Sequence, residues 1–375
     1  MIYLDHNAST PLQAQVLEAM RPFLEAGFAN PSSRHRLGRQ VRGALEEARE
    51  KVASLVNVHP RQVVFTSGGT EANNLAIKGM GAERIAISAI EHPSVNAPAR
   101  ALGVPVITLP VDGEGRVSPE VLAESLARGV GGVSVMMANN ETGVLQDIPG
   151  LAQQARRFGA VFHTDAVQAA GKVAVDFEAS GAHLMSLSAH KLGGPKGAGA
   201  LILEEGLPLN PLLHGGGHEQ GLRSGTENVA AIVGFGEAAR LASENLEARQ
   251  DHLLALREDL EGRLRALGAV IFSEGAKRLP NTVMWSLPGI DGETLLMALD
   301  EAGFAVSSGS ACGSRRMAPS HVLDAMGIAG PLAQGAIRVS LGMDNTLEDL
   351  DAFERALKQC IKGLRSPALW AWDEV

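Results

Sequence analysis

A chain of 375 residues, 45% hydrophobic and 20% charged, has material for two domains or one large domain with an appendage, and its composition excludes a disordered chain. The formal net charge of -9 argues against a nucleic-acid-coating surface. Two cysteines, Cys312 and Cys360, are too few for a disulfide framework or a four-cysteine zinc site, and the histidines show no ligand spacing, so no metal is expected.

The amino terminus, Met1-Ile2-Tyr3-Leu4-Asp5-His6, lacks a basic segment followed by an apolar stretch, and no apolar run reaches the length of a membrane span. The expectation is a soluble, cytoplasmic protein without a membrane or nucleic-acid partner. Thr10-Pro11 reads as a cap and first turn opening a helix from Leu12 to Glu25. Val63 to Thr66 reads as a strand and Thr70 to Lys78 as a helix. Strand patterns recur at Ile85–Ile87, Val104–Ile107, Val133–Met137, Val161–His163, Ala182–Leu187 and Ala198–Leu203, with a helix at Leu151–Phe158. This alternation predicts an α/β layer with a mostly parallel sheet. Asn228 to Leu267 reads as one long helical stretch with charges on its solvent face. Beyond it the pattern restarts. Strands at Val283–Leu287, Phe304–Val306 and Ile337–Leu341, with helices at Gly292–Glu301 and Leu347–Leu364, predict a smaller α+β domain.

Chemistry-bearing residues fall just past strands, where open α/β sheets bind ligands. The run Ser188-Ala189-His190-Lys191-Leu192-Gly193-Gly194 closes a buried strand with a lysine. Lysine is rarely buried unless paired, and desolvation frees its amine for Schiff-base chemistry. The plain alternative is a lysine that snorkels to solvent. Thr66-Ser67-Gly68-Gly69-Thr70-Glu71 turns from strand to helix and suits an anion such as phosphate, or is an ordinary glycine turn. Asp165 suits a protonated ring nitrogen, or caps a helix. His92, in Glu91-His92-Pro93, is a further candidate, or a structural histidine. A phosphate cradle, an aspartate and a desolvated lysine together match what pyridoxal phosphate needs. Cys312 lies among small residues, Ser308-Gly309-Ser310-Ala311-Cys312-Gly313-Ser314, which suits a reachable thiol. Cys360, on the final helix, reads as a small buried hydrophobe.

With these residues in place, the chain resembles the cysteine desulfurases of the NifS/IscS type, which are pyridoxal-phosphate enzymes related to the class V aminotransferases. The resemblance covers nearly the whole chain. It is carried by Tyr3-Leu4-Asp5-His6-Asn7-Ala8-Ser9-Thr10-Pro11, Asn30-Pro31-Ser32-Ser33, Phe65 to Glu71, Asn139-Asn140-Glu141-Thr142-Gly143 and Asp165-Ala166-Val167-Gln168. It continues through Ser188 to Lys191, Gly215-Gly216-Gly217-His218-Glu219-Gln220, Arg223-Ser224-Gly225-Thr226 and Ser308 to Cys312. It implies the fold-type-I architecture, with a mostly parallel seven-stranded-type sheet in a large domain plus a smaller α+β domain, in a homodimer. The implied division is an arm over 1–14 packing with the small domain, a large cofactor-binding domain over 15–255, and a small domain over 256–375 that carries the Cys312 loop.

Residue by residue, the resemblance implies that Lys191 bonds the cofactor. His92 would stack on its ring, Asp165 pair with its pyridine nitrogen and Gln168 approach its phenolic oxygen. Gly69, Thr70, Ser188 and His190 would hold the phosphate, with Thr226 reaching in from the other subunit. Asn140 and Arg338 would bind the substrate carboxylate, a role that a planar guanidinium suits on its own chemistry. Cys312 would accept sulfur from L-cysteine as a persulfide, leaving L-alanine, and pass it to a sulfur-acceptor or iron–sulfur scaffold protein. The alternatives are a selenocysteine lyase, a class V aminotransferase, or a non-enzymatic sulfur carrier. The loop departs from the family pattern at Ala318 and in its Arg315-Arg316 pair, whose positive field would favour the Cys312 thiolate and an acidic acceptor, or which is merely solvated loop charge. Ser9 stands where the family often has threonine.

Overall fold

The structure is a computed structural model that describes residues 1–308 and 320–365. Seven strands form its central sheet in the order Val63–Thr66, Gly199–Leu203, Leu184–Ser188, Val161–Asp165, Gly132–Ser134, Ile85–Ser88 and Val106–Leu109. Only Gly199–Leu203 runs against its neighbours; the other pairings are parallel. The first six of these strands are buried at all but one residue, and so show no regular alternation of apolar and exposed polar positions. Val161 is the half-buried exception. Helices cover both faces. Arg36–Leu55 and Val229–Glu244 pack on one side, and Gly69–Gly79 and Pro93–Ala101 on the other.

The second sheet has four antiparallel strands in the order Ser307–Ser308, Ala336–Ser340, Thr282–Ser286 and Val270–Ile271. Its core gathers Trp285, Ile337 and Val339 with Leu253, Leu256, Leu260 and Leu264 of helix Leu246–Ala266. The last helix, Leu347–Leu364, opens on a capping box between Thr346 and Asp349 and buries Leu350, Phe353 and Leu357 along one stripe. Strand Ile2–Tyr3 pairs in parallel with Phe304–Ala305. No helix among the described residues is long and apolar enough to cross a membrane.

Three local expectations change. The stretch from Asn228 to Leu267 is two helices, broken at Asn245, which ends one and precedes the other. The first helix starts at Ala14, not Leu12, and Thr10 is not its cap. The Thr10 hydroxyl instead donates to the His190 carbonyl at 2.8 Å and accepts from the Gly193 N–H at 2.7 Å, which ties the amino-terminal arm to the loop around Lys191. The strand expected over Val133–Met137 ends at Ser134, although Val135 and Met137 still donate to His163 and Asp165 of the next strand.

Candidate active site

Segments that follow the carboxyl ends of the central strands converge on a cavity of about 490 Å³. Gly69, Thr70, His92, Asn140, Asp165, Gln168, Ser188, His190 and Lys191 all line it. A larger cavity of about 1210 Å³, bounded by Arg116, Ile148, Val175 and Leu254, contains none of these residues.

One end of the cavity is built for an anion. Helix Gly69–Gly79 begins where strand Val63–Thr66 stops, and its cap residue, Gly68, has no side chain to occupy the first N–H groups. A Cβ on Gly69 would sit 2.9 Å from Val167 Cγ2 and 3.4 Å from Ser188 Cβ, so the close approach of this turn to its neighbours requires glycine. The Ser188 hydroxyl is buried and has no hydrogen-bond partner. An orphaned buried hydroxyl beside an uncapped helix start fits a phosphate group. Glu71 braces the turn by accepting from the Ser67 N–H at 2.8 Å, and it pairs with Arg223 at 2.8 Å.

The other end is organised around Asp165, the last residue of its strand. Its Oδ1 accepts from the Val167 N–H at 2.9 Å and its Oδ2 from Asn73 Nδ2 at 2.7 Å. Asn73 Nδ2 also donates to Ser94 Oγ at 2.8 Å, and Ser94 Oγ lies 2.7 Å from His92 Nδ1. Because Nδ1 also accepts the Ser94 N–H at 3.1 Å, the ring proton is assigned to Nε2. Burial holds the His92 pKa below the usual imidazole value, with Asp165 pulling the other way. The ring is thus neutral, in one tautomer, and joined to Asp165 through two side chains. A carboxylate held by two N–H donors is a suitable partner for a pyridinium nitrogen.

Lys191 ends a single turn of 3-10 helix, Ala189–Lys191, that follows strand Leu184–Ser188. Its Nζ donates to the carbonyls of Asn7 and Ala8, the latter at 2.8 Å. Burial, and then the Arg338 charge, push its pKa down to about 8. Its neighbour His190 is pushed down to about 4, by burial first and then by Lys191, and is therefore neutral. Gln168 is held at both ends. Its Nε2 donates to the Asn7 carbonyl at 2.9 Å and its Oε1 accepts from Lys172 Nζ at 2.7 Å.

Arg338 comes from the second sheet. It does not line the cavity itself but reaches its rim, donating to the Asn140 carbonyl at 2.9 Å and pairing with Asp5 at 2.6 Å. Its Nε is buried without a partner. Thr226 is exposed and lies off the cavity lining. Cys312, Arg315 and Arg316 lie outside the described residues.

Sequence reasoning misses Asn73, Ser94, Asn7 and Lys172. The signal for Asn73 is its spacing: four residues after Gly69, it shares a helix face with the anion turn. Glu91 is also missed as a buried carboxyl. It accepts from the Met136 N–H at 2.7 Å and from the Ser88 hydroxyl, its Oε2 has no partner, and burial raises its pKa to about 8.

The family model for class-V aminotransferases matches residues 2–353. The chain is 42% identical to a cysteine desulfurase IscS of Dictyoglomus turgidum, across 99% of this chain and 98% of that protein. It is also 42% identical to the cysteine desulfurase NifS of Azotobacter vinelandii, across 97% and 94%. A solved NifS-like protein superposes with a TM-score of 0.91 at 38% identity, covering 97% of this chain and all of that one (100%). Another, from Rickettsia africae, superposes with a TM-score of 0.89 at 36% identity, covering 96% and 99%.

Proposed function

The chain belongs to the class-V aminotransferase family, and from that premise we infer that it is a pyridoxal-phosphate-dependent cysteine desulfurase, which converts L-cysteine to L-alanine and retains the sulfur as a persulfide on Cys312. The observation that carries the reading is the meeting, in one cavity, of a half-buried lysine with a lowered pKa, a doubly held aspartate and an orphaned serine hydroxyl beside an uncapped helix start.

Pyridoxal phosphate, when bound, supplies an electron sink for the carbon beside the substrate amine. Gly69, Thr70, Ser188 and His190 would hold its phosphate, Asp165 its pyridine nitrogen, Gln168 its phenolic oxygen, His92 its ring face and Lys191 its covalent attachment. The exposure of Thr226 in the single chain supports its donation to a second copy, in a homodimer. Asn140 and Arg338 receive the substrate carboxylate. A lowered pKa leaves Lys191 Nζ able, once free, to move the proton at the substrate Cα. The Cys312 thiolate then attacks the substrate sulfur. The Cys312 Sγ–S bond forms as the substrate Cβ–S bond breaks. The bonding pair stays with the carbon, which takes up a proton and becomes the methyl group of alanine. The persulfide passes to a thiol of an acceptor protein, such as an iron–sulfur scaffold, in the cytoplasm. The division into 1–14, 15–255 and 256–375 places Lys191 and Cys312 on separate domains.

The test is to supply L-cysteine and a small thiol to the purified protein and to measure alanine and sulfide together. Equal yields are expected from the wild type, and cofactor binding without sulfide release from Cys312→Ala. Normal sulfide output from Cys312→Ala, or pyruvate or transamination products in place of alanine, would refute the assignment.

A further inference from the structure

Asn7 sits on the amino-terminal arm, just after strand Ile2–Tyr3, and is 1% exposed. An asparagine offers one backbone N–H, two amide N–H groups and two acceptor sites on each of its oxygens. Here all of them are used. The backbone N–H donates to Ser340 Oγ at 2.9 Å. Its Nδ2 donates to Thr282 Oγ1 at 2.9 Å and to the Asn140 carbonyl at 3.1 Å. Its Oδ1 accepts from Lys172 Nζ at 2.8 Å and from Asn281 Nδ2 at 3.1 Å. Its carbonyl accepts from Lys191 Nζ and from Gln168 Nε2, the latter at 2.9 Å.

Ser340, Thr282 and Asn281 belong to the second sheet or its immediate flank; Asn140, Gln168 and Lys191 line the cavity, and Lys172 bonds Gln168 from outside that lining. A residue that merely joined the two bodies would have no need to bond Lys191 or the Asn140 carbonyl. That carbonyl is also the acceptor for Arg338 Nη1, and Asp5, two residues before Asn7, takes Arg338 Nη2. The arm therefore meets the carboxylate-binding pair from two directions while one of its carbonyls holds the amine.

We propose that Asn7 is a positioning residue that keeps Asn140 and Arg338 in register with Lys191. The inference rests on the reading that Asn140 and Arg338 receive the substrate carboxylate. Asn7→Asp tests it because the change is isosteric, and Asn7→Ser accompanies it because the aspartate also sets a new negative charge against Lys172 Nζ and near Lys191. The new oxygen replaces Nδ2. Thr282 could donate to it only by giving up its bond to Asn281 Oδ1, and the Asn140 carbonyl has no proton to offer and faces another acceptor. The cost therefore falls on Asn140 and on the Thr282–Asn281 bond.

The experiment measures kcat and KM for L-cysteine and, from the absorption band of the bound cofactor, the affinity for L-alanine. Asn7→Asp is expected to raise both KM and the alanine dissociation constant about tenfold, with kcat changed less than about threefold. Leu122→Ala, a core variant outside the cavity, shows how far these constants move with lost stability alone. Asn7→Ser removes the Asn140 contact without adding a charge, and the same result is expected of it whether or not Asn7→Asp folds. Wild-type KM and alanine affinity in a folded Asn7 variant would overturn the proposal, as would equal changes in Leu122→Ala. Arg338→Ala separates the two readings. If it leaves KM unchanged, the carboxylate assignment itself fails; if it raises KM while the Asn7 variants do not, only the positioning role fails.

Discussion

In the cofactor-free protein Lys191 is expected to titrate near pH 8, because burial and then the Arg338 charge hold its pKa at about 8. At about pH 7.5 roughly a quarter of the amine is then neutral, against about one part in a thousand for an ordinary lysine. Only the neutral amine is nucleophilic, so this difference is a gain of about two orders of magnitude in reactive Lys191. Arg338→Gln removes the largest charge repulsion and should move the midpoint upward, though not to the ordinary value, since burial remains. Asp165→Asn removes an attraction and should move it downward. The assay is competitive acetylation across a pH series, with the Lys191 peptide quantified by mass spectrometry. Linkage gives a second readout. Between about pH 8 and the ordinary lysine value the unfolded chain holds a proton on this amine that the folded chain lacks, so Lys191 makes stability rise with pH across that window. A wild-type midpoint near 10, or one that Arg338→Gln leaves in place, would refute the reasoning.

Asn73→Ala removes a charge-assisted donor from Asp165, a loss of about 1.5–3 kcal/mol, and should weaken cofactor retention roughly ten- to a hundredfold; equilibrium dialysis measures it, and a change under threefold would count against the Asp165–Asn73–Ser94–His92 chain. Glu91, with its pKa raised to about 8 by burial, makes the fold lose stability as pH rises from its ordinary value of 4.5 to about 8, so the Tm of Glu91→Gln relative to wild type should rise between pH 5 and pH 9; a constant difference would show that Glu91 does not titrate in that window. Thr226→Ala and Lys191→Ala homodimers should both be impaired, while their mixed dimer, with both lesions in one site, should keep about half of wild-type activity. An inactive mixed dimer would assign each Thr226 to its own subunit.

The central strands were legible because burial on both faces leaves them short and largely apolar, and the lysine after one and the aspartate that ends another stood out against that background. Helix Arg36–Leu55 was not. Val41, Leu45, Ala48 and Val52 form its buried stripe, but charges crowd the intervening positions, and no element was read between Glu25 and Val63. Thr10 has the residue type of a helix cap, and local chemistry alone favours that role. Only the tertiary contact with the His190 loop overrides it. Asn7 has no local signature at all, since its partners stand as far away in sequence as Ser340. Roles such as ring stacking by His92 came from the family resemblance, because neither spacing nor periodicity carries that information.

The Arg338–Asp5 pair has a consequence for turnover. If Arg338 receives the substrate carboxylate, as proposed, that carboxylate meets a charge already answered at 2.6 Å, so docking exchanges or shares one anion for another and does not fill a bare site. Such an exchange yields a smaller net affinity than an unpaired guanidinium would, because the incoming group displaces part of what the resident group already supplied. Alanine leaves with the same carboxylate that cysteine brought in. A site that gripped that group tightly would hold product as firmly as substrate; one with a built-in competitor lets the product go.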